Sequence, residues 1–136
     1  MTRPGSPEER IEFVRQAIDA FNRRDADAMR ALASEDFEYD WTRSVGPNRG
    51  VYKGPEGFFE FITDQWEMFD PFELTADEFI PRGNHVVVPT TIHGRGPQDV
   101  TVSAKSTHVY TFDGRRLVRI TMFQELVEAL AATGGD

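Results

Sequence analysis

Two hydrophobic periods alternate along the chain, and each change of period marks a change of element. Ile11, Val14, Ile18 and Phe21 recur at spacings of three, four and three, an apolar stripe that predicts an amphipathic helix, with Glu12, Arg15, Gln16 and Asp19 on its other faces. Ser6-Pro7-Glu8-Glu9 supplies its start: a capping hydroxyl, a proline at the first helical position and a glutamate where a capping box needs one. The helix stops near Asn22-Arg23-Arg24, and Asp25 caps a short second helix over 26–33 that turns Met29 and Leu32 inward. From Asp36 the period drops to two. Phe37, Tyr39 and Trp41 fall on one side and Glu38, Asp40 and Thr42 on the other, the pattern of a half-buried strand. Residues 44–53 are polar and carry Gly46, Pro47, Asn48 and Gly50, which predicts an irregular connection. Gly54-Pro55-Glu56 then opens a third helix, in which Phe58, Phe61, Ile62, Gln65, Trp66 and Phe69 keep helical spacing.

After Asp70-Pro71 the pattern predicts strands over 72–80, 85–93, 100–112 and 117–124, separated by the turn signals Arg82-Gly83-Asn84, Gly94-Arg95-Gly96-Pro97 and Asp113-Gly114. Leu126, Val127 and Leu130 are in register for a short last helix before Gly134-Gly135. Residues 1–5 read as a frayed tail and 125–136 as a short C-terminal helix and tail, around a single domain spanning 1–136. Consecutive strands joined by tight turns run antiparallel, so the fold class is α+β: a strongly curved antiparallel sheet with three helices from the N-terminal half over its concave face. Such an arrangement leaves a hollow between sheet and helices.

Composition narrows what that hollow does. With 136 residues, 39% of them hydrophobic, the chain can bury a core without a metal or disulfide staple, and with no cysteine it has no thiolate chemistry. A net charge of −8 repels phosphate backbones and anionic lipid, so neither nucleic acid nor a membrane is an expected partner. The first thirty residues hold no apolar run of the signal-peptide kind, and the expected compartment is the cytoplasm. No pair of histidines has metal-ligand spacing, so no metal is expected. Gly94-Arg95-Gly96-Pro97 is followed by a strand rather than a helix, and there is no Gly-x-Ser-x-Gly elbow, so no cofactor is expected either. His85 and His93 bracket one strand beside Val87, Pro89 and Thr91 and read as surface residues.

Several strings have a familiar order: Ala20-Phe21-Asn22-Arg23-Arg24-Asp25 leading into Leu32, Asp36-Phe37-Glu38-Tyr39-Asp40-Trp41, Gly50-Val51-Tyr52-Lys53-Gly54-Pro55-Glu56-Gly57, and His108-Val109-Tyr110-Thr111-Phe112-Asp113-Gly114 with Leu117-Val118-Arg119-Ile120. On these residues the chain resembles the SnoaL-like branch of the nuclear transport factor 2-like superfamily. That cone-shaped α+β fold is shared with ketosteroid isomerase and limonene epoxide hydrolase. The similarity runs from Ile11 to about Glu125. It implies a pocket inside the cone for a hydrophobic small molecule and a homodimer through the outer face of the sheet. Reaction is not implied, because this scaffold carries isomerases, hydrolases, cyclases, dehydratases and plain binding modules.

Alternation on the late strands places Ala104, Ser106, His108, Tyr110 and Phe112 in one row and Val118, Ile120, Met122 and Gln124 in another, both read as pocket wall, with Lys105 and Arg119 outside. The candidate ligand-binding residues are Tyr39 and Trp41 of the first strand, Phe58, Phe61, Ile62 and Trp66 of the third helix, and Ser106, Tyr110, Ile120, Met122 and Gln124. His108 and Asp40 are the candidate catalytic residues. The resemblance lays His108 on the strand position where ketosteroid isomerases carry an oxyanion-binding carboxylic acid. There a neutral imidazole can donate to a carbonyl or act as base; the alternative is a core histidine bonded to Tyr110, Thr111 or a backbone carbonyl.

Counted back from Glu35-Asp36, Asp40 falls where the isomerase keeps its base. Counted from Asp25 without a gap, Trp41 takes that place and Asp40 points outward. Ala17 stands where the isomerase has its helix tyrosine, which rejects that specific activity, and Asp99 and Asp113 belong to turns, so the acids of the epoxide hydrolase are missing too. The reading is of a protein that binds a hydrophobic small molecule, with cofactor-free acid/base chemistry on His108 assisted by Asp40 or Tyr39. The alternative is a non-catalytic binding or dimeric interaction module. Two titratable groups meeting at one cavity favour the enzyme, and a cavity filled by side chains favours the interaction module.

Overall fold

The computed structural model describes residues 6–44 and 49–134; the tail expected over 1–5, the turn at Gly46-Pro47-Asn48 and the last two residues lie outside them. The helices begin where their local signals stand. Ser6 Oγ accepts from the Glu9 amide at 3.1 Å and Glu9 accepts from the Ser6 amide at 2.9 Å, a complete capping box that starts α1 (Pro7–Asn22). Arg24 turns the chain with a φ of 57°, and the Asp25 carboxylate accepts from the Ala28 amide at 3.1 Å to start α2 (Ala26–Leu32).

The first strand, β1 (Ala33–Asp40), follows without a loop and pairs with β2 (Val51–Lys53), a strand the sequence pattern hides because three residues are too few to show alternation. Gly54, at a φ of +73°, then turns the chain directly into α3 (Gly54–Met68), a conformation that any side chain would strain.

The strand expected over 72–80 is two pieces, β3 (Phe72–Ala76) and β4 (Ile80–Arg82), which lie one after the other along the same edge of β5 (His85–Arg95). The interruption faces Pro89, which has no amide to donate, and the Asp77 amide reaches the Pro89 carbonyl at 2.8 Å across the gap. A short turn leads to β6 (Thr101–Asp113), then β7 (Arg116–Phe123) and α4 (Leu126–Gly134). The sheet order is β2-β1-β7-β6-β5-β3, with β4 beside β5. Every pair is antiparallel except one: β1 runs parallel to β7. The tight-turn argument governs only strands joined by turns, and β1 and β7 are the first and last strands of the chain. The sheet is therefore mixed within an α+β fold.

Each face of the sheet has its own apolar layer. Val86, Val88, Tyr110, Phe112, Leu117 and Ile120 meet α1, α2 and α3 through Val14, Phe21, Met29, Phe58 and Ile62 on the inner face. On the outer face Val87, Val109 and Phe123 are covered by Ala129, Leu126 and Leu130 of α4. The register slips between Thr111 and Phe112, so Leu117 and not Val118 takes the inward position opposite Phe112. This bulge corrects the inward row expected for β7 at its first member. No helix among the described residues is long and apolar enough to cross a membrane.

The end of α1 also closes one edge of the sheet. Asn22 donates through Nδ2 to the Leu74 carbonyl and accepts from the Leu74 amide, both at 2.9 Å, so its amide takes the place of a neighbouring strand on β3. Asn22→Ala is expected to lower stability by about 1 kcal/mol, the net worth of exposed hydrogen bonds, with a measurable fall in the denaturant midpoint.

Candidate functional site

The inward side of β6 carries His108 into the cone, 2% exposed, between the aromatic ring system of β1 and α3. Tyr39 packs edge-on to Phe58 at 5.2 Å and Phe61 at 4.9 Å, Trp41 lies 4.8 Å from Phe61, and the Trp41 and His108 rings are 6.1 Å apart. Ser106 Oγ lies 3.4 Å from His108 Nε2, a long contact. Burial pulls the imidazole down to about 4, so it is neutral at pH 7. Burial pushes the Tyr39 phenol up to about 12, slightly eased by Trp41, and pushes Tyr110 up as well, with Tyr39 adding to the shift.

Two hollows of about 20 Å³ each meet at His108. One is walled by Trp41, Phe61, Gln65, Phe72 and Ile92, the other by Ala17, Met29, Phe58, Tyr110, Leu117 and Ile120, and both share Phe21, Tyr39, Ile62, Leu74 and His108. Each has room for a single water. No charged side chain lines either one. The polar groups available are one neutral imidazole, two protonated phenols, the Gln65 amide and the Trp41 indole N–H, which is buried, lies near the Tyr39 hydroxyl, and is out of good hydrogen-bonding geometry with any partner among the described residues.

Most of the expected lining is in place: Tyr39, Trp41, Phe58, Phe61, Ile62, Tyr110 and Ile120 wall the hollows with His108. Four expected members do not wall them. Trp66 packs against Phe21 at 5.6 Å, Ser106 sits beside the imidazole, Met122 is buried next to His108 in the β6–β7 register, and Gln124 is exposed and donates to the Arg43 carbonyl at 2.9 Å. The lining also includes Phe21, Leu74, Phe72, Ile92 and Gln65, residues outside the expected set. The stripe of α1 pointed to Phe21, and the alternation of β3 pairs Phe72 with Leu74, a signal that was available.

Asp40 is not brought to His108. It lies in the outer row of β1, 7% exposed, where its carboxylate accepts from the Thr42 hydroxyl at 2.6 Å, the Thr42 amide at 3.0 Å and Arg119 Nη2 at 3.1 Å. Burial pushes its carboxyl up, but Thr42 and the Arg119 guanidinium outweigh that and hold it below the ordinary carboxylate value. Of the other histidines, His85 Nδ1 pairs with Thr111 Oγ1 at 2.9 Å, and His93 is exposed in the outer row of β5.

Comparison with known proteins agrees with this fold. The model of the SnoaL-like domain family matches residues 14–120. A search of curated proteins finds no match. Among solved structures, an NTF2-like protein of unknown function from Burkholderia pseudomallei is 24% identical, with a TM-score of 0.75 over 92% of this chain and 97% of that one. TerC, co-crystallised with polyporic acid, is 22% identical, with a TM-score of 0.75 over 94% and 98%. A protein described as a SnoaL-like polyketide cyclase from Shewanella denitrificans is 16% identical, with a TM-score of 0.74 over 94% and 97%. These likenesses are of fold.

Proposed function

The chain belongs to the SnoaL-like domain family, and from that premise we propose that it takes up an apolar small molecule inside the cone, at the two hollows that meet on His108. The observation that carries this reading is the wall itself: uncharged, aromatic, and interrupted by a neutral imidazole, two protonated phenols and the Gln65 amide. Each hollow alone holds about one water, so uptake joins them by displacing side chains they share, Ile62 and Leu74 foremost, and selects an open population over the closed one. TerC, of the same fold, was co-crystallised with polyporic acid, which supports small-molecule uptake on this scaffold. Any homodimer through the outer face has only the part of it that α4 leaves uncovered.

The arrangement favours holding a ligand over turning it over. An imidazole held near 4 is a weak base, the phenols are weak acids, and the nearby carboxylate is tied to Arg119 on the other face. A second reading, proton transfer within the bound ligand, draws on one separate observation: His108, Tyr39 and Tyr110 wall a single hollow.

Titration of the isotope-labelled protein with small aromatic compounds, followed by NMR, tests the first reading. Shifts concentrated on Tyr39, Ile62, Leu74 and His108 are expected, and shifts confined to exposed residues such as Val100 and Val127 reject it. Protein-dependent exchange of the methyl hydrogens of acetophenone in heavy water, lost in His108→Ala, would establish the second.

A further inference from the structure

One polar donor inside the cone makes no well-formed hydrogen bond among the described residues, although the Tyr39 hydroxyl lies near enough to feel it. The Trp41 Nε1–H is buried without a hydrogen-bond partner among the described residues, and its ring walls the hollow against Phe61 and His108. An indole N–H donates and cannot accept, so only an acceptor can satisfy it. Left unmade in the interior, that bond is a standing penalty, and an acceptor delivered to the N–H removes it. The surroundings also restrict what the acceptor can be. Neither hollow is lined by a charge, and the charged row of β1 and β7, Glu38, Asp40 and Arg119, lies on the opposite face of the sheet and is engaged with itself. A carboxylate entering the cone would lose its water and meet no counter-charge.

We infer that the cone recognises an uncharged ring compound by one carbonyl- or ether-type oxygen that accepts from the Trp41 N–H, and that it turns away the ionised carboxylate of the same skeleton. This rests on the cone-binding reading above and adds the chemical class and the residue that reads it. Trp66 is the internal control: its indole N–H is also buried and unpartnered, but it walls neither hollow.

Three probes of nearly the same shape separate the terms: ethylbenzene, with no acceptor, acetophenone, with a neutral one, and benzoate, with a charged one. Without a donor in the site, the ketone should bind more weakly than the hydrocarbon, because its carbonyl must shed water. The expected result is the reverse, with acetophenone about five- to tenfold tighter than ethylbenzene and at least about tenfold tighter than benzoate. The chain has two tryptophans, and W41F identifies which indole resonance belongs to Trp41. Acetophenone should move that resonance downfield and leave the Trp66 resonance in place, while ethylbenzene moves neither in that direction. In W41F, acetophenone should fall to the affinity of ethylbenzene or below.

Benzoate matching acetophenone, or acetophenone gaining nothing over ethylbenzene with the Trp41 resonance unmoved, overturns the inference and leaves cone binding intact. If none of the three perturbs the hollow, cone binding itself fails and this inference falls with it. Should W41F prove unstable, the three probes on the unaltered protein still decide.

Discussion

Acidification from neutral pH to about pH 4 is expected to cost the native state about 3 kcal/mol through His108 alone, the largest single effect the structure predicts. The ring is 2% exposed, and burial holds its pKa at about 4 against an ordinary 6.5. One pKa unit corresponds to about 1.4 kcal/mol, so a gap of roughly two and a half units amounts to about 3.5 kcal/mol in all, of which about 3 is lost by pH 4. The sign follows from proton binding: below 6.5 the unfolded chain takes up a proton on this residue that the folded chain refuses, so unfolding is favoured as pH falls. The loss begins near pH 6.5 and is complete once the pH has passed the folded value near 4.

His85, also shifted downward by burial and by Arg10, contributes to the same limb. The informative quantity is thus the difference between the unaltered protein and His108→Asn, since His85 is common to both. Urea unfolding at a series of pH values should show that difference narrowing, with the histidine protein losing its advantage as pH falls through this window. Parallel profiles would mean that the imidazole is solvated, and the cone would lose its defining polar group. Ligand uptake by the folded protein should persist down to about pH 5, because the folded imidazole stays neutral until the pH nears 4.

Where the chain's own neighbours decide a feature, the sequence was sufficient to read it. The capping box of Ser6 and Glu9, the cap at Asp25 and the apolar stripe of α1 are written within a few residues, and each formed as read. The inward position of Tyr39, Trp41, His108 and Tyr110 follows from alternation once the strands are placed. What depends on partners distant in sequence was hidden. The pairing of β2 with β1 needs only three residues, the split between β3 and β4 depends on a proline in the strand opposite, and the slip that substitutes Leu117 for Val118 depends on how β6 and β7 fit together.

The docking of α4 is of the same kind: Leu126 and Leu130 announce an apolar face but not the Val87 and Val109 that receive it. Asp40 is the instructive case, because two ways of counting put either it or Trp41 in the cone, and alternation alone already favoured Trp41. Arg119 on β7 settles the placement from the other side, as the cation that Asp40 meets on the outer face. No sequence pattern marks the unpartnered indole of Trp41, which follows from packing alone.

Arg119→Met is expected to destabilise the protein by about 2 kcal/mol, and Asp40→Asn by about half as much. The carboxylate of Asp40 is nearly buried, and its strongest cationic contact is Arg119 Nη2 at 3.1 Å, since Arg43 stays 3.9 Å away. Removing the cation strands a desolvated charge, whereas replacing the acid by its amide removes the charge and keeps a hydrogen-bonding group for Thr42. Arg119 is itself 43% exposed, which keeps the loss below the roughly 3–5 kcal/mol of a fully buried pair. In the double variant the two losses should not add, because both act on one network that also includes Glu38 at 3.4 Å from Arg119.

The pH signature differs from that of His108. Asp40 has a folded pKa below its ordinary 3.8, so its contribution is in place above that value and is lost only as pH falls through the lower folded one. The difference between the unaltered protein and Asp40→Asn should therefore stay flat across the window in which His108 titrates and close only at more acid pH. Asp40→Asn should also bind acetophenone as the unaltered protein does, because its side chain lies on the far side of β1 from the hollows. A loss of affinity beyond what unfolding explains would return this carboxylate to the chemistry of the cone.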